Sequence, residues 1–388
     1  LVSGRCAVPC VADADCVAGE VCRRAWAQRA GELAQELGAC VPRIVVPAAV
    51  RVSREGVPGL LSSELASASL PLGGGFGLRV LLPSCGAEVE ATRLSLTDGT
   101  LLFDLSAGVA ASPPLNPMAP RGRPLTLLTP SGSTALAGAD GYLLELSSRG
   151  AGDLNVITLQ GESVSGVLPL ELFYVGVPGW TPVDDTPPAE VTLALTELTS
   201  LFSGVGLTPR VVGQHVIPGE LALRLAVLDE TPDGASPERE ELFSLSAGIA
   251  APALPVFFVR AMDRGALGAS GGIPGPQGVM ATAGSGVVVA ASVIGEERLS
   301  LGRVLAHEIG HFLGLFHTSE LDGGGEESLA DTPYCDASRD ADSDAVLSPD
   351  ECTGYGTENL MFWSARGGGS ELSADQGDIL RASVLLQR

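Results

Sequence analysis

The chain contains no lysine. All 23 basic residues are arginine, against 46 aspartates and glutamates, and the net charge over 388 residues is −23. Without lysine there is no Schiff-base or amine-nucleophile chemistry. A field this acidic also argues against a nucleic-acid partner, whose phosphates it would repel. Aromatic residues make up only 4% of the chain, and Trp26, Trp180 and the scattered tyrosines form no visible stacking platform. No apolar run reaches the ~18 residues that a membrane helix needs. What is abundant is Gly (50) and Pro (27), which favours short strands and many turns. At 45% hydrophobic the chain can bury a sizeable core, and at roughly 100–200 residues per domain the expectation is two or three domains.

Cysteine is unevenly spread. Cys6, Cys10, Cys16, Cys22 and Cys40 crowd the first forty residues, and Cys85, Cys335 and Cys352 lie apart. Closely spaced cysteines in a short polar stretch predict a disulfide-stapled module and an oxidising compartment. A zinc knuckle is the weaker alternative, because paired C-x2-C units and a nearby histidine are missing. The opening Leu1-Val2-Ser3 has neither a basic nor an apolar leader, so the expectation is an exported, extracellular or cell-surface protein whose signal peptide has been removed.

Three stretches follow: a Cys-rich module at 1–43, a β-rich accessory or pro-domain at 44–165, and an α/β domain at 166–388. In the second, short apolar runs (Leu78–Leu82, Leu101–Leu105, Leu125–Leu128, Tyr142–Leu146, Leu154–Leu159) alternate with turns such as Asp98-Gly99 and Asp140-Gly141, the rhythm of an all-β sandwich. In the third, the spacing predicts strands at Leu168–Val175, Pro209–Ile217, Leu221–Leu228, Leu254–Val259 and Gly286–Val293. Helices are expected over Ala189–Phe202 and from about Glu297 to Leu313. That order implies a mixed sheet with helices packed on it.

Three of the four histidines fall within eleven residues, His307-Glu308-Ile309-Gly310-His311-Phe312-Leu313-Gly314-Leu315-Phe316-His317. On a helix His307 and His311 stand one turn apart and share a face, so both can ligate one cation. Glu308 lies one residue further round, within reach of an activated water. Gly314 can adopt φ > 0 cheaply, so the chain can turn there and bring His317 beneath the ion. Three neutral imidazoles leave tetrahedral zinc one open position, the catalytic arrangement, with Glu308 as general base. The competing reading, a buried helix whose histidines only satisfy hydrogen bonds, needs an apolar face. Leu305, Ile309, Phe312 and Leu313 supply that face without using the histidines.

A second motif is acidic. Asp340-x-Asp342-x-Asp344-Ala345-Val346-Leu347-Ser348-x-x-Glu351 matches the calcium-loop pattern at positions 1, 3, 5, 9 and 12, with Ala345 where glycine is usual. A solvated acidic loop is the alternative. Cys335 and Cys352 bracket it, and a disulfide between them would reduce the cost of ordering its ligands. Gly268-Ala269-Ser270-Gly271-Gly272 fits a nucleophile-elbow pattern, but the histidines after it all belong to the zinc motif, and His215 reads as structural. The run Gly271–Gly278 reads as a surface loop.

The segment His307–His317 resembles the zinc signature of the metzincin metalloproteases, and Asn359-Leu360-Met361 is similar to the methionine turn beneath their metal. His317-Thr318, Ala330-Asp331-Thr332-Pro333, Cys335, Cys352 and Leu372-Ser373-Ala374-Asp375-Gln376 are similar to the pappalysin-like branch. The resemblance covers roughly 166–388. It implies a secreted zinc endopeptidase acting on proteins or peptides, with Glu308 as base and Met361 under the site. A non-catalytic, zinc-stabilised adhesion or binding protein is the alternative. One departure stands out: the tyrosine expected two residues after the turn methionine is replaced by Trp363, whose indole donates but is no phenol. The resemblance also implies that Gly286–Val293 is the edge strand above the zinc, and raises the question whether Cys85 occupies the metal as a latency switch. A disulfide from Cys85 to the N-terminal module is the reading favoured by parity.

Overall fold

The structure is a computed structural model, which describes residues 20–27, 35–42, 44–46, 48, 50–61, 68–73, 77–83, 88–104, 125–129, 141–149, 152–160, 166–229, 236–296, 299–324 and 329–386. Cys6, Cys10, Cys16 and Cys85 lie outside the described residues, so the expectations for the stapled module and for a Cys85 switch rest there. Two N-terminal strands, β1 (Glu20–Ala27) and β2 (Gln35–Pro42), form an antiparallel ladder that sets Cys22 opposite Cys40 along the backbone.

Eight strands follow: β3 (Arg51–Leu61), β4 (Ala68–Gly73), β5 (Gly77–Pro83), β6 (Glu88–Leu96), β7 (Leu101–Asp104), β8 (Leu125–Thr129), β9 (Gly141–Arg149) and β10 (Gly152–Gln160). They make two four-stranded antiparallel sheets, ordered β3-β10-β5-β8 and β4-β9-β6-β7. Side chains alternate faces along a strand. On β5, Leu81 joins Tyr142 and Leu144 of β9 in one cluster, while Leu78, Val80 and Leu82 point the other way. On β10, Leu154 and Val156 join the first cluster, and Ile157 and Leu159 the second. Strands β5 and β10 are thus buried on both faces, and adjacent apolar residues such as Leu81-Leu82 and Val156-Ile157 reflect it in the sequence.

The second of those faces belongs to the core of the C-terminal region. There β11 (Val167–Val175), α1 (Ala189–Ser203), β12 (Thr208–Ile217), α2 (Gly219–Arg224), β13 (Val227–Leu228), α3 (Pro237–Ser244), β14 (Leu254–Val259), β15 (Ala261–Met262), β16 (Gly268–Ser270), β17 (Val287–Ala290), α4 (Leu301–Leu313) and α5 (Ala374–Arg381) follow in turn. The main sheet has the order β12-β11-β14-β17-β16; all neighbours are parallel except β16, which runs antiparallel to β17. Leu170, Leu172, Val256, Phe258, Val287 and Val289 face α1, α4 and the accessory sheet. Phe173, Phe257, Val259 and Val288 face α3 on the other side. This is the mixed α/β arrangement that the sequence predicts.

Three expectations are corrected. Leu221–Leu228 is not one strand: after Pro218, α2 takes Gly219–Arg224, and only Val227–Leu228 is extended. Its Glu220-Leu221-Ala222-Leu223-Arg224 are strong helix formers, with an acid in the first turn and a base in the last. Val287–Ala290 is a central strand between β14 and β16, completely buried, so β16 and not β17 forms the edge. A continuous β-branched run is what a strand covered on both faces requires. The Gly271–Gly278 run is not a surface loop, since Pro274 to Ala290 are all buried. Gly275 N–H donates to Phe312 O at the end of α4, and Thr126 of β8 donates to Pro274 O.

Candidate metal centre

Helix α4 carries the centre. Ser300 caps its start, Oγ accepting from Arg303 N–H, so it begins at Leu301 rather than near Glu297. Every residue of the helix except Arg303 is buried. It ends at Gly314, whose φ of 120° turns the chain back, as the sequence predicts. His317 then returns to the helix, with Nε2 3.1 Å from Nε2 of His307 and 3.1 Å from Nε2 of His311.

The opposite ring nitrogens are all held. Nδ1–H of His307 donates to Leu360 O at 2.8 Å, and Nδ1–H of His311 to Leu315 O at 2.7 Å. Nδ1–H of His317 faces both oxygens of Glu320, at 3.0 and 3.1 Å. A carbonyl or carboxylate oxygen can only accept, so each Nδ1 carries the proton and each Nε2 presents a lone pair. Three acceptors pointed at one another cannot bond among themselves; a cation between them satisfies all three. Burial, and then the neighbouring His317 imidazole, pushes His307 down to about 3. Burial and both neighbouring imidazoles hold His311 well below its usual value. His307 and His311 therefore stay neutral, and three imidazoles suit zinc.

Glu308 opens on the same hollow, a cavity of about 400 Å³ that also touches Gly268, Val304, Trp363 and Arg366. Burial pushes its carboxyl up to about 8, opposed by the charge of Arg239 on α3. Edge strand β16 lies directly against it: a Cβ on Gly268 would stand 2.7 Å from Glu308 Cγ. A Cβ on Gly310 would stand 2.6 Å from Met361 Sδ, so the methionine packs against α4 at the glycine between the two helical histidines.

The turn that carries Met361 is held by a network only partly foreseen. Asn359 Oδ1 accepts from Met361 N–H at 2.8 Å, and Asn359 Nδ2 donates to Gln376 Oε1 at 2.8 Å. Gln376 is completely buried, and with Ser373 it forms the capping box of α5. Asp331 Oδ2 accepts from Asp375 N–H on the same helix. The Leu372–Gln376 motif is thus the support of the methionine turn. Trp363 Nε1–H donates to Leu347 O at 2.9 Å, so the indole that replaces the expected tyrosine is already engaged.

Cys335 and Cys352 are joined by a disulfide, buried with Leu347 and Phe362. Inside it, one carboxylate oxygen each of Asp340, Asp342 and Glu351 lie within 4.8 Å of one another. Asp344 is not in that group. Asp344 Oδ1 accepts from Val346 N–H, and Ser348 Oγ donates to Glu351. Ala345 takes φ 63°, the conformation for which glycine is usual at that position. Ser270 and His215 sit on β16 and β12, opposite edges of the main sheet, which removes the serine-hydrolase reading. His215 pairs with Glu171 at 2.6 Å and stacks on Phe173.

Sequence reasoning missed Glu320, the role of Gln376, and the contact of Gly268 with Glu308. Only Glu320 left a local signal, a carboxylate three residues after a histidine ligand candidate.

The three-histidine motif on one helix and its turn resemble the zinc site of the metzincin-like metalloproteases. Within that class, residues 253–381 match the Peptidase_M43 family, described as Pregnancy-associated plasma protein-A. Among solved structures, the chain is similar to an archaemetzincin from Methanopyrus kandleri, with 13% identity and a TM-score of 0.26, covering 40% of this chain and 79% of that one. It is also similar to metalloproteinase-II from Bacteroides fragilis, with 13% identity and a TM-score of 0.32, covering 58% of this chain and 55% of that one. A search of curated proteins finds no match.

Proposed function

We propose that the chain is an exported zinc endopeptidase in which His307, His311 and His317 hold the metal and Glu308 is the general base. The convergence of three Nε2 lone pairs beside a carboxylate in an open cavity carries this reading. Zinc supplies Lewis acidity there, polarising a scissile carbonyl and easing the ionisation of water. Glu308 takes a proton from the attacking water and delivers it to the amine nitrogen as the C–N bond breaks. Gly268 and the β16 backbone keep that carboxylate facing the cavity. The Nδ1 acceptors Leu360 O, Leu315 O and Glu320 fix the imidazole rings. The Cys335–Cys352 disulfide supports an oxidising compartment. Because the carboxylate and the histidines share one accessible cavity, a catalytic role is favoured over a purely structural zinc.

Metal analysis and digestion of a peptide library test the proposal. The zinc-loaded chain cuts peptides, chelation stops it, and Glu308→Ala keeps zinc but loses about 10²–10⁴-fold in kcat. Equal cleavage by the variant refutes the role of Glu308.

The same reading takes the Asp340–Glu351 loop as a calcium site. Supporting it are the three converging carboxylates and the buried Asp340 Oδ1, which makes no hydrogen bond. Calcium at a hundred times its Kd raises stability by about 2.7 kcal/mol. Asp342→Ala abolishes the calcium-dependent rise in Tm.

A further inference from the structure

Beyond the zinc cavity lies a second hollow of about 560 Å³, and Arg366 lines both, so the two meet at its side chain. Arg303 lines the second hollow from α4, one helical turn before His307 and on the same face of the helix. Arg366 thus borders the zinc cavity, and Arg303 lines the hollow next to it.

Neither arginine is firmly engaged. Arg366 reaches Glu296 only at 3.7 Å, with both side chains about half exposed. An exposed pair of this kind contributes little and exchanges readily. Arg303 is 3.8 Å from Glu197, whose same oxygen already accepts from Ser300 Oγ at 2.7 Å. Arg303 Nε is buried and makes no hydrogen bond. Asp350, Glu358 and Glu371 share the second hollow, yet all three side chains are exposed, and no ion pair joins either arginine to them among the described residues. Glu358 is turned back on its own loop, accepting from Gly354 N–H at 3.2 Å. In a chain with twice as many acids as arginines, two loosely paired guanidiniums beside the reacting centre are a recognition feature in need of an anion.

We propose that Arg366, with Arg303 behind it, binds an aspartate or glutamate side chain of the substrate close to the scissile bond. The proposal rests on the peptidase reading above and adds the substrate class: peptides carrying an acidic residue beside the cut. Arg366 can swing from Glu296 to a substrate carboxylate at small cost, since both ends of the pair it leaves are solvated. The field of the whole chain repels acidic peptides, so selection depends on this local pair and not on steering.

The experiment uses the zinc-loaded full chain and a peptide library in which positions within three residues of a central bond carry Asp, Glu, their amides, or Arg. Cleavage products are sequenced by mass spectrometry. We expect acidic peptides to exceed their amide isosteres by about tenfold in kcat/KM, mostly through KM. Arg366→Glu then inverts the order, favouring the arginine peptides. Arg366→Gln brings acid and amide peptides toward parity, and its zinc content shows that the site is still assembled if the charge reversal fails to fold. Equal cleavage of acid and amide peptides by the unaltered chain overturns the proposal while leaving the peptidase standing. So does an acid preference that survives both substitutions. Absence of cleavage of any peptide by the zinc-loaded chain is the separate failure, that of the peptidase reading itself.

Discussion

His317 depends on a carboxylate that no signature marks. Glu320 accepts its Nδ1–H and so turns Nε2 toward the other two imidazoles. Outer partners of this kind orient ligands and raise their basicity, and their loss costs about 10–100-fold in metal affinity. Glu320→Ala should therefore weaken zinc binding by that factor in a competitive chelator titration, with the fold intact by circular dichroism. Gly268 acts on the neighbouring group. A methyl there meets Glu308 Cγ at 2.7 Å and Val288 O at 3.0 Å, so the carboxylate must move. Gly268→Ala is expected to lower kcat by about 10²-fold, the low end of what a positioned base supplies, with zinc stoichiometry unchanged. Loss of zinc along with activity would show that β16 holds the helix and not only the carboxylate.

Between elements, the methionine turn and α5 are coupled through the buried Asn359–Gln376 amide pair. Gln376→Ala leaves a buried amide without its partner, at a cost of about 1–3 kcal/mol. Leu360, in the same turn, supplies the carbonyl that holds His307, so the substitution should also speed zinc release, measured with a chromogenic chelator. The Cys335–Cys352 bridge closes a loop of sequence separation 17. In the chain-entropy view a loop of about that size is worth about 3 kcal/mol. A Cys335→Ser, Cys352→Ser double variant should lose roughly that amount in denaturant unfolding, and bind calcium more weakly. The elements of this region are legible where the pattern fits one period, as in the 15-residue helical repeat of α1, or where β-branched and aromatic residues dominate, as in β14. They were misread at Leu221–Leu228, where a short apolar run fits either period and helix-forming residues decided the outcome.

Over the whole molecule, the accessory sheet is part of the same core as the catalytic sheet. Leu78, Val80, Leu82, Ile157 and Leu159 cluster with residues of α1, α4 and β11, and Val45 N–H donates to Gly278 O at 2.7 Å. Each such side chain contributes roughly 1.5–3 kcal/mol when buried. A fragment starting at residue 166 should consequently lose stability and solubility, seen as a lower Tm and aggregation, whereas cleavage of the connection alone should leave the two parts associated on gel filtration. No helix is long and apolar enough to cross a membrane among the described residues.

The zinc motif was fully legible in the sequence because its chemistry is local. His307, Glu308 and His311 lie within five residues on one helix, Gly314 turns the chain, and His317 follows three residues later. Helical periodicity alone brings such residues together. The acidic loop and the cysteines that enclose it are local for the same reason. The tertiary structure decided everything set by distant pairing. It placed β16 rather than β17 at the edge over Glu308, buried the Pro274–Ala290 segment against α4 and β8, and carried Arg366 to the mouth of the cavity. Those outcomes depend on which strands pair and which faces stack, contacts between residues tens of positions apart whose side-chain patterns fit several arrangements equally well.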